Sequence, residues 1–336
     1  MTIKAFAALG KGKPLEPFSF DPKPLAAHEV EVKISHCGVC HSDLHLVKDD
    51  WGMSSFPLVP GHEVIGTVHQ VGSGVTQLKP GQRVGIGWQS DSCGECEWCS
   101  RGEENLCVRA APTCVGRHGG FAEFIRVNSH FAIPVPDNLS SESAAPLLCG
   151  GITVFSPMRA QQLGPQHRVG IIGIGGLGHM ALQFARAFGS EVTAFSTSAD
   201  KEAEAKRMGA HHFVATQNPE AIKKLASSFD FILSTVNADL PWLDYVSALR
   251  PYGNLCFVGA PPSNLSVPVF SLISGNKRIS ASNTGNTAGL REMLQVAARH
   301  GVKAQTERFP LDQVNQAISR VARNEVRYRA VLEIGA

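Results

Sequence analysis

The sequence predicts an α/β fold in which a doubly wound parallel sheet is inserted into a mostly β domain. Before about residue 150, short β-rich runs alternate with Gly and Pro, whereas from about Gln166 short apolar runs alternate with helical patterns. Regular alternation of strands and helices is typical of a parallel sheet with helices on both faces. The 336 residues suffice for two domains, and we expect residues 1–149 and 288–336 to form the first and residues 150–287 the second.

The first domain is predicted to consist of short strands joined by long loops. Few stretches before residue 150 are long enough for a helix, and Gly and Pro interrupt the β-rich runs. The predicted strands include Val30–Ser35, Val64–Val71, Arg83–Ile86 and Phe121–Val127.

The second domain is predicted to begin with strand Arg168–Ile172, an apolar run typical of a strand buried on both faces. A helix follows, because Leu177, Ala181 and Phe184 lie at helical spacing and Gly189 is placed to end it. The next predicted elements are strand Glu191–Phe195, helix Ala199–Met208, strand Phe213–Ala215, helix Pro219–Ser227, strand Phe229–Val236, helix Trp242–Leu249, strand Asn254–Val258 and a closing strand, Arg278–Ser282. Two helices, Leu290–Arg299 and Leu311–Arg323, and strand Tyr328–Ile334 are predicted to return to the first domain.

The composition excludes several classes of protein. Basic and acidic residues number 31 and 29, which argues against a nucleic-acid partner and against a disordered chain. There is no apolar run long enough for a membrane span, and the N-terminal residues lack the pattern of a secretory signal. The nine cysteines are odd in number and partly clustered, which fits a disulfide framework poorly. We therefore expect a soluble, cytoplasmic protein.

The segment Gly173-Ile174-Gly175-Gly176-Leu177-Gly178 is a GxGxxG motif between a predicted strand and a predicted helix. That context is the one in which the motif binds a dinucleotide in Rossmann domains. Gly173 would form the tight turn, Gly175 would let the backbone approach a pyrophosphate, and Gly178 would allow close contact between helix and strand. The alternative is a strand–helix turn without a ligand.

The end of the second strand of this domain favours NADP over NAD. An acidic residue there would bind the ribose 2′-hydroxyl of NAD, but the chain has Ser196-Thr197-Ser198, and Asp200 comes later. Hydroxyl groups can donate hydrogen bonds to a 2′-phosphate, and Lys201, or less favourably Arg207, could supply a cation. The alternative is that Lys201 is only a solvated side chain at a helix start.

Four cysteines, Cys93, Cys96, Cys99 and Cys107, are spaced to bind one tetrahedral Zn²⁺. Such a complete thiolate shell leaves no position for a substrate, so the role would be structural. An iron–sulfur cluster is the alternative, but in the bacterial ferredoxin pattern the fourth cysteine follows after three residues and precedes Pro, whereas here Val108 follows Cys107.

A second possible metal set is scattered along the chain and consists of Cys40, His62 and Cys149. Two thiolates and an imidazole form a known catalytic zinc set with one open position. From spacing alone, however, ordinary buried cysteines and a core histidine are the better interpretation.

The chain resembles the zinc-dependent medium-chain alcohol dehydrogenases, and within them the cinnamyl alcohol dehydrogenase branch, including broad aldehyde reductases of the bacterial type. The resemblance rests on motifs in the same order and at matching spacing over most of the chain: GVCHSDLH (38–45), WGMS (51–54), PLVPGHE (57–63), the four-cysteine segment, PLLCGGITVFSP (146–157) and GIGGLGH (173–179). It implies that the mostly β domain is GroES-like and catalytic, and that the chain binds two zinc ions and NADP.

The resemblance also assigns roles to individual residues. It implies that Cys40, His62 and Cys149 bind the catalytic zinc, with Glu63 as an alternate ligand. Ser42 would contact the substrate oxygen, and His45 would pass its proton to solvent by way of the cofactor ribose. The residues implied to bind the cofactor are Thr153, near the metal, and Ser196, Thr197 and Lys201, at the 2′-phosphate. Trp51, Met53 and Trp88 would line the substrate pocket, although ordinary packing could also explain them.

The implied reaction is hydride transfer between NADPH and a primary alcohol or aldehyde, in which zinc stabilises negative charge on the substrate oxygen. The two tryptophans suggest a pocket that differs from that of the plant lignin enzymes, which argues against cinnamyl specificity. We expect a broad range of aromatic and aliphatic aldehydes. The partners implied are a small-molecule substrate and a second copy of the chain, in a dimer or tetramer formed through the edge strand Arg278–Ser282. The alternatives are a non-catalytic dinucleotide sensor and a zinc-free quinone reductase of the same superfamily.

Overall fold

A computed structural model describes residues 2–218 and 220–335 of the chain. The strands, numbered in chain order, are β1 (Ile3–Ala8), β2 (Leu15–Phe20), β3 (Glu29–Val39), β4 (Val64–Val71), β5 (Arg83–Ile86), β6 (Gln89–Asp91), β7 (Ala111–Pro112), β8 (Phe124–Asn128), β9 (Ile133–Pro134), β10 (Arg168–Ile172), β11 (Glu191–Ser196), β12 (His212–Ala215), β13 (Phe229–Ser234), β14 (Leu249–Phe257), β15 (Arg278–Ala281), β16 (Thr306–Pro310) and β17 (Arg329–Glu333).

The α-helices are α1 (His41–Lys48), α2 (Glu97–Ser100), α3 (Ser141–Ala144), α4 (Gly150–Ala160), α5 (Gly178–Ala187), α6 (Glu202–Arg207), α7 (Glu220–Lys223), α8 (Trp242–Ala248), α9 (Val269–Ile273), α10 (Thr287–His300) and α11 (Val314–Ala322). Short 3₁₀ turns lie at Glu104–Leu106, Ser129–Phe131, Ala145–Leu148, Ala199–Lys201 and Leu311–Gln313.

The chain divides into two compact units. Unit 1 comprises Met1–Ile152 and Thr284–Ala336, and unit 2 comprises Thr153–Asn283. The last strand returns to unit 1, where β17 pairs antiparallel with β3. The functional domain boundaries expected from the sequence stay a prediction.

Unit 1 is built on a mostly antiparallel sheet in the order β16-β17-β3-β4-β5-β9, with β8 also paired to β3. Its core is apolar and includes Val32, Ile34 and Val39 of β3 and Val64 and Val68 of β4. Because alternate side chains of a strand point to opposite faces, such strands can bury apolar residues and carry functional residues at their ends.

Unit 2 contains a six-stranded parallel sheet in the order β12-β11-β10-β13-β14-β15. The order runs outward in both directions from β10, which is the doubly wound arrangement. Val169, Ile171 and Ile172 of β10 are buried, as predicted for a strand covered on both faces. The predicted fold class, a Rossmann sheet inserted into a mostly β GroES-like body, is confirmed.

Several elements differ from the sequence prediction. The helix predicted over Ala199–Met208 begins as a 3₁₀ turn before α6, and of the helix predicted over Pro219–Ser227 only α7 forms, with Pro219 outside the described residues. Helix α1 was not expected, because five of its eight residues are polar and Leu44, Leu46 and Val47 are its only apolar residues. Strands β1, β2 and β16 and helix α9 were also not foreseen.

Candidate active site

Four possible metal ligands from three distant segments converge in unit 1. Cys40 lies between β3 and α1, His62 and Glu63 precede β4, and Cys149 precedes α4. One ligand atom of each residue lies within 4.8 Å of the ligand atoms of the other three, and His62 Nε2 is 3.3 Å from Cys149 Sγ. We call these four residues the buried cluster, since His62 and Glu63 are fully buried and Cys149 nearly so.

The buried cluster fits a zinc ion in its donor atoms and spacing. Ligand atoms around a tetrahedral zinc bound by sulfur and nitrogen stand about 3.5–3.8 Å apart, close to the separation of His62 from Cys149. Glu63 Oε2 is buried and has no hydrogen-bond partner among the described residues, which would be unfavourable without an ion near it.

Two glycines allow the backbone to approach the buried cluster closely. A side chain at Gly38 would overlap Glu63 Oε2, so any larger residue there would displace that carboxylate. Gly61 has φ of +102°, and a Cβ there would lie 2.6 Å from the ring of Phe121. Glycine at these two positions therefore lets the segment GVC (38–40) and the segment GHE (61–63) meet.

Asp43 orients His62 and was not identified from the sequence. Its Oδ1 lies 2.9 Å from His62 Nδ1 and accepts the Gly61 amide at 3.0 Å, while its Oδ2 accepts the Cys40 amide at 2.9 Å. Because a carboxylate accepts the hydrogen on Nδ1, Nε2 keeps its lone pair for a metal. The available signal was an acid at the third position of a helix that begins after Cys40.

Arg329 of β17 forms a buried ion pair with Glu63 and was likewise missed. Arg329 is 6% exposed, and its Nη2 donates to Glu63 Oε1. Burial raises the pKa of Glu63 to about 7, although the charge of Arg329 opposes that rise. The arginine lies 266 positions from its partner, so no local pattern could have revealed the pair.

The remaining ionisable groups of the buried cluster influence one another. A hydrogen bond from Cys149 lowers the pKa of the Cys40 thiol well below its usual value, although burial opposes this effect. Burial alone would lower the pKa of His62, but the charges of Asp43 and Cys149 raise it above its usual value. The pocket thus favours a thiolate at Cys40 and a protonated His62, and zinc binding at Nε2 would release the proton from this ring nitrogen.

Helix α1 places Ser42 and His45 one turn apart. Ser42 Oγ is 3.7 Å from Cys40 Sγ, and His45 Nδ1 is 2.7 Å from Asp50 Oδ2. His45 is partly exposed, whereas Asp43 on the same helix is fully buried. The helix therefore extends from the cluster to the solvent.

Aromatic rings lie beside the buried cluster. The rings of Trp88 and His62 are nearly perpendicular, with 4.9 Å between their centroids, and the centroids of Trp51 and Trp88 lie 6.1 Å apart. Trp51 also lies 5.1 Å from the ring of His45 and is 48% exposed. Met53 is exposed as well. Two of the three predicted pocket residues, the tryptophans, are thus in contact with predicted site residues.

The four-cysteine lobe, defined as residues 93–107, brings its thiols together. Cys93 Sγ lies 3.8 Å from Cys99 Sγ and 3.5 Å from Cys107 Sγ, and all four Sγ atoms lie within 4.8 Å of one another. Sulfur atoms around one tetrahedral zinc stand about 3.8 Å apart, so the lobe fits this ion. Hydrogen bonds from the backbone amides of Glu95 and Cys96 lower the pKa of the Cys93 thiol to about 6.

The glycine motif forms the turn between β10 and α5 in unit 2. Gly173 has φ of +86°, and a side chain at Gly178 would overlap the Gly173 carbonyl oxygen. A Cβ at Gly175 would meet no atom within 4 Å, so the backbone is open there to a ligand. Gly176 and Leu177 are half-buried and lead into the helix. This geometry fits a pyrophosphate at a helix N-terminus.

The predicted 2′-phosphate residues follow β11. Ser196 is buried and its Oγ accepts the Ser198 amide at 3.1 Å, whereas Thr197 is exposed. Lys201 Nζ donates to the Ile174 carbonyl oxygen at 2.8 Å, which places its ammonium group at the glycine turn. Thr153 is half-buried in α4. The structure thus brings Lys201 to the motif 27 residues before it.

In the described part of the chain, none of the helices has the length and apolar character needed to cross a membrane.

Comparisons with known proteins agree with this architecture. Residues 26–137 match the alcohol dehydrogenase GroES-like domain, and residues 176–299 match the zinc-binding dehydrogenase family. The chain is 47% identical over 330 residues to the aldehyde reductase AdhA of Synechocystis sp., covering 98% of both chains. A cinnamyl alcohol dehydrogenase structure from Sorghum bicolor superimposes with a TM-score of 0.94 at 40% identity, over 99% of this chain and 98% of that one.

A second structure, a cinnamyl alcohol dehydrogenase from Helicobacter pylori complexed with NADP(H), has a TM-score of 0.91 at 31% identity, over 99% of this chain and 98% of that one. Fold and site together define a zinc-binding dehydrogenase. The chain belongs to the zinc-dependent medium-chain alcohol dehydrogenases, in which its relatives include aldehyde reductase and cinnamyl alcohol dehydrogenases. The predicted resemblance is confirmed, and the activity is that of an alcohol or aldehyde dehydrogenase of this family.

Proposed function

We propose that the chain reduces a broad range of aromatic and aliphatic aldehydes to primary alcohols with NADPH and catalyses the reverse oxidation. Residues 1–149 and 288–336 are the catalytic domain, and residues 150–287 bind the dinucleotide. The observation that carries this proposal is the convergence of Cys40, His62 and Cys149 in one buried pocket with a complete set of zinc-binding atoms. In either direction, one hydride moves between the nicotinamide and the alcohol carbon.

The catalytic zinc would be held by Cys40, His62 and Cys149, with Glu63 as an alternate ligand. When bound, zinc acts as a Lewis acid that stabilises negative charge on the substrate oxygen. Asp43 would hold the Nδ1 hydrogen of His62 so that Nε2 faces the metal, and Arg329 opposes the rise in the pKa of Glu63 and holds its carboxyl group in place. These two side chains therefore orient the donor atoms of His62 and Glu63 before zinc binds.

Ser42 and His45 would handle the alcohol proton. The Ser42 hydroxyl is adjacent to Cys40 and would exchange a hydrogen bond with the substrate oxygen. His45 is partly exposed, so its imidazole could exchange a proton with solvent. Because both residues lie on α1, one short helix would connect the reacting oxygen to the solvent.

NADP is the proposed cofactor, bound by the turn Gly173, Gly175, Gly176, Leu177 and Gly178 and by Thr153 near the nicotinamide. Ser196, Thr197, Ser198 and Lys201 would contact the 2′-phosphate. The absence of an acidic side chain at 196–198 and the ammonium group of Lys201 support this choice. Since cells usually keep NADPH reduced, aldehyde reduction is the proposed cellular direction.

Trp51, Met53 and Trp88 are proposed to line the substrate pocket. The perpendicular contact of Trp88 with His62 puts an aromatic surface next to a proposed zinc ligand. The tryptophan rings supply a large apolar surface, and the indole N–H is their only polar group. Such a wall favours substrates by shape and hydrophobicity, which supports a broad range.

The four-cysteine lobe is proposed to hold a second, structural zinc, giving two ions per chain. We also propose a homodimer that pairs β15 with its counterpart, because β15 is an edge strand and the preceding α9 exposes Val269, Phe270 and Ile273. All nine cysteines are free thiols, which supports a cytoplasmic location.

The decisive experiment combines metal analysis with kinetics on the purified full chain. We expect two zinc ions per chain, and activity on a panel of aromatic and aliphatic aldehydes with a lower KM for NADPH than for NADH. One zinc ion or none would contradict the proposed mechanism. A preference for NADH would contradict the assignment of Ser196–Lys201, and reduction of a single aldehyde class would contradict the proposed breadth.

A further inference from the structure

The backbone carbonyl groups of the glycine turn are bound by side chains from outside the turn. Thr235 lies just after β13, and its hydroxyl group forms a bifurcated hydrogen bond. The acceptors are the Ile172 oxygen at 2.9 Å and the Gly173 oxygen at 3.0 Å. Lys201 Nζ donates to the Ile174 oxygen at 2.8 Å, and His179 Nδ1 donates to the Gly175 oxygen at 3.0 Å. Four consecutive carbonyl groups therefore have side-chain donors.

Thr235 is also packed between two glycines of the motif. A Cβ built on Gly173 would lie 3.2 Å from Thr235 Oγ1, and one built on Gly178 would lie 3.3 Å from the same atom. Both distances are tighter than ordinary contacts between such atoms. These two glycines thus leave room for the Thr235 hydroxyl, in addition to the turn itself.

Holding the carbonyl groups also fixes the amide groups. A trans peptide unit is planar, so the N–H of each residue points away from the carbonyl oxygen of the residue before it. With the oxygens of Gly173, Ile174 and Gly175 directed at protein donors, the amide of each following residue points away from the donor that binds its own peptide unit. Amides of such a turn are the groups that bind a pyrophosphate.

We infer that Thr235 is a positioning residue for the dinucleotide pyrophosphate, acting through the carbonyl group of Gly173. The inference rests on the proposed function, since it requires the turn to bind a dinucleotide. Thr235 contacts the turn at a point remote in sequence from the 2′-phosphate residues, and NADPH and NADH share the same pyrophosphate. Its loss should therefore weaken both cofactors equally, unlike the loss of a 2′-phosphate contact.

The test is Thr235→Val, which keeps the branched shape and removes the hydroxyl. We expect the Kd values of NADPH and NADH, measured by fluorescence titration of the full chain, to rise by the same factor of about three to ten, the effect of one buried hydrogen bond. The KM for each cofactor should rise likewise, with kcat at saturation within about twofold of the original value. Thr235→Ser restores the hydroxyl and should restore both Kd values.

Two further variants serve as controls. Ser247→Ala removes a hydroxyl that donates to the Leu243 oxygen on α8 of the same unit, and it should leave both Kd values unchanged. Ser196→Ala should weaken NADPH alone. Unchanged Kd values in Thr235→Val, or equal weakening in Thr235→Ser, would overturn the inference while leaving the proposed function intact. Failure of the unaltered chain to bind either dinucleotide would overturn the proposed function and the inference with it.

Discussion

The buried cluster and the four-cysteine lobe contain similar donor atoms in very different surroundings. In both, one ligand atom from each of four residues lies within 4.8 Å of the others. The lobe takes its ligands from one stretch of chain, and Cys93, Cys96 and Cys99 are only half-buried. The buried cluster takes its ligands from segments as far apart as Cys40 and Cys149, and charged side chains surround it.

The difference lies in what stabilises each set of ligands. Backbone amides support the lobe, with the Cys96 amide donating to Cys93 Sγ and the Arg109 amide to Cys107 Sγ. Side chains from other elements support the buried cluster, namely Asp43 on His62 and Arg329 on Glu63. A site supported by local backbone can stabilise a loop. In a site supported by ionised side chains, those side chains can also shift the pKa values of the ligands and orient them for a reaction.

Cys149→Ala gives the largest expected loss of activity, because it removes a proposed ligand of the catalytic zinc. Loss of a residue that hydrogen-bonds to a metal ligand typically lowers metal affinity or activity by about 10–100-fold. Loss of a ligand itself should have a larger effect, so we expect kcat to fall by more than about a hundredfold. The zinc content should fall from two ions to one per chain while the circular dichroism spectrum is kept. Cys256→Ala, at a buried free cysteine of unit 2, is the matched control and should retain full activity. Two ions in the Cys149 variant would exclude this residue as a ligand.

Cys96→Ser tests the lobe, and stability should be its main readout. A structural zinc contributes its binding energy to folding, so we expect the free energy of unfolding to fall by roughly 3 kcal/mol or more. The zinc content should again fall to one ion, but kcat measured well below the new Tm should change far less than in Cys149→Ala. Equal losses of kcat in the two variants would contradict the division into a catalytic and a structural site.

Arg329→Met leaves the Glu63 carboxylate buried without its partner. Breaking a buried ion pair from one side costs about 3–5 kcal/mol, so Tm should fall markedly. The double variant Arg329→Met with Glu63→Gln removes the uncompensated charge and should recover part of that stability. If the double variant were no more stable than the single one, the pair would not be coupled.

These two sites also show how far the sequence alone can lead. The lobe was predictable because thiolate spacing within fifteen residues is itself the geometry of the site. The turn at Gly173 was predictable because its strand, glycines and helix are contiguous. In contrast, Cys40 and Cys149 carry no local pattern, and only the resemblance to a family joined them to His62. Helix α1 was missed because its few apolar residues do not give a clear helical period.

The residues that support the proposed ligands and the glycine turn could not be predicted from the sequence for a related reason. Asp43, Arg329 and Thr235 act through atoms that meet only when distant elements pair, and each looks like an ordinary polar residue of its strand or helix. Arg329 is the first residue of β17, and charged residues are mostly exposed, so the sequence favours a solvent-facing side chain, whereas the structure buries it. A charged side chain is buried only where a partner compensates its charge, and the fold determines which residues become partners.

Asp43→Asn should have a smaller effect than loss of a ligand. The amide can still accept a hydrogen bond, but it no longer provides a charge to orient and polarise His62. Loss of such a partner lowers metal affinity or activity by about 10–100-fold, and we expect the same range for kcat/KM. Asp312→Asn, at an exposed acid of unit 1, is the control. Zinc competition with a chelator should show weaker retention in the Asp43 variant alone, and equal retention would argue against this role.

Arg109→Met gives the smallest expected effect and compares most directly with Arg329→Met. Both substitutions remove an arginine paired with a glutamate in or near a group of proposed zinc ligands, but Arg109 and its partner Glu95 are largely exposed, whereas Arg329 and Glu63 are buried. Exposed ion pairs contribute little because water screens them and two long side chains must be ordered. We expect a Tm shift below about 2 °C and unchanged zinc content. A fall in Tm as large as that of Arg329→Met would mean that the lobe, too, depends on a charged side chain. The two sites would then differ only in how far apart their proposed ligands lie in the sequence.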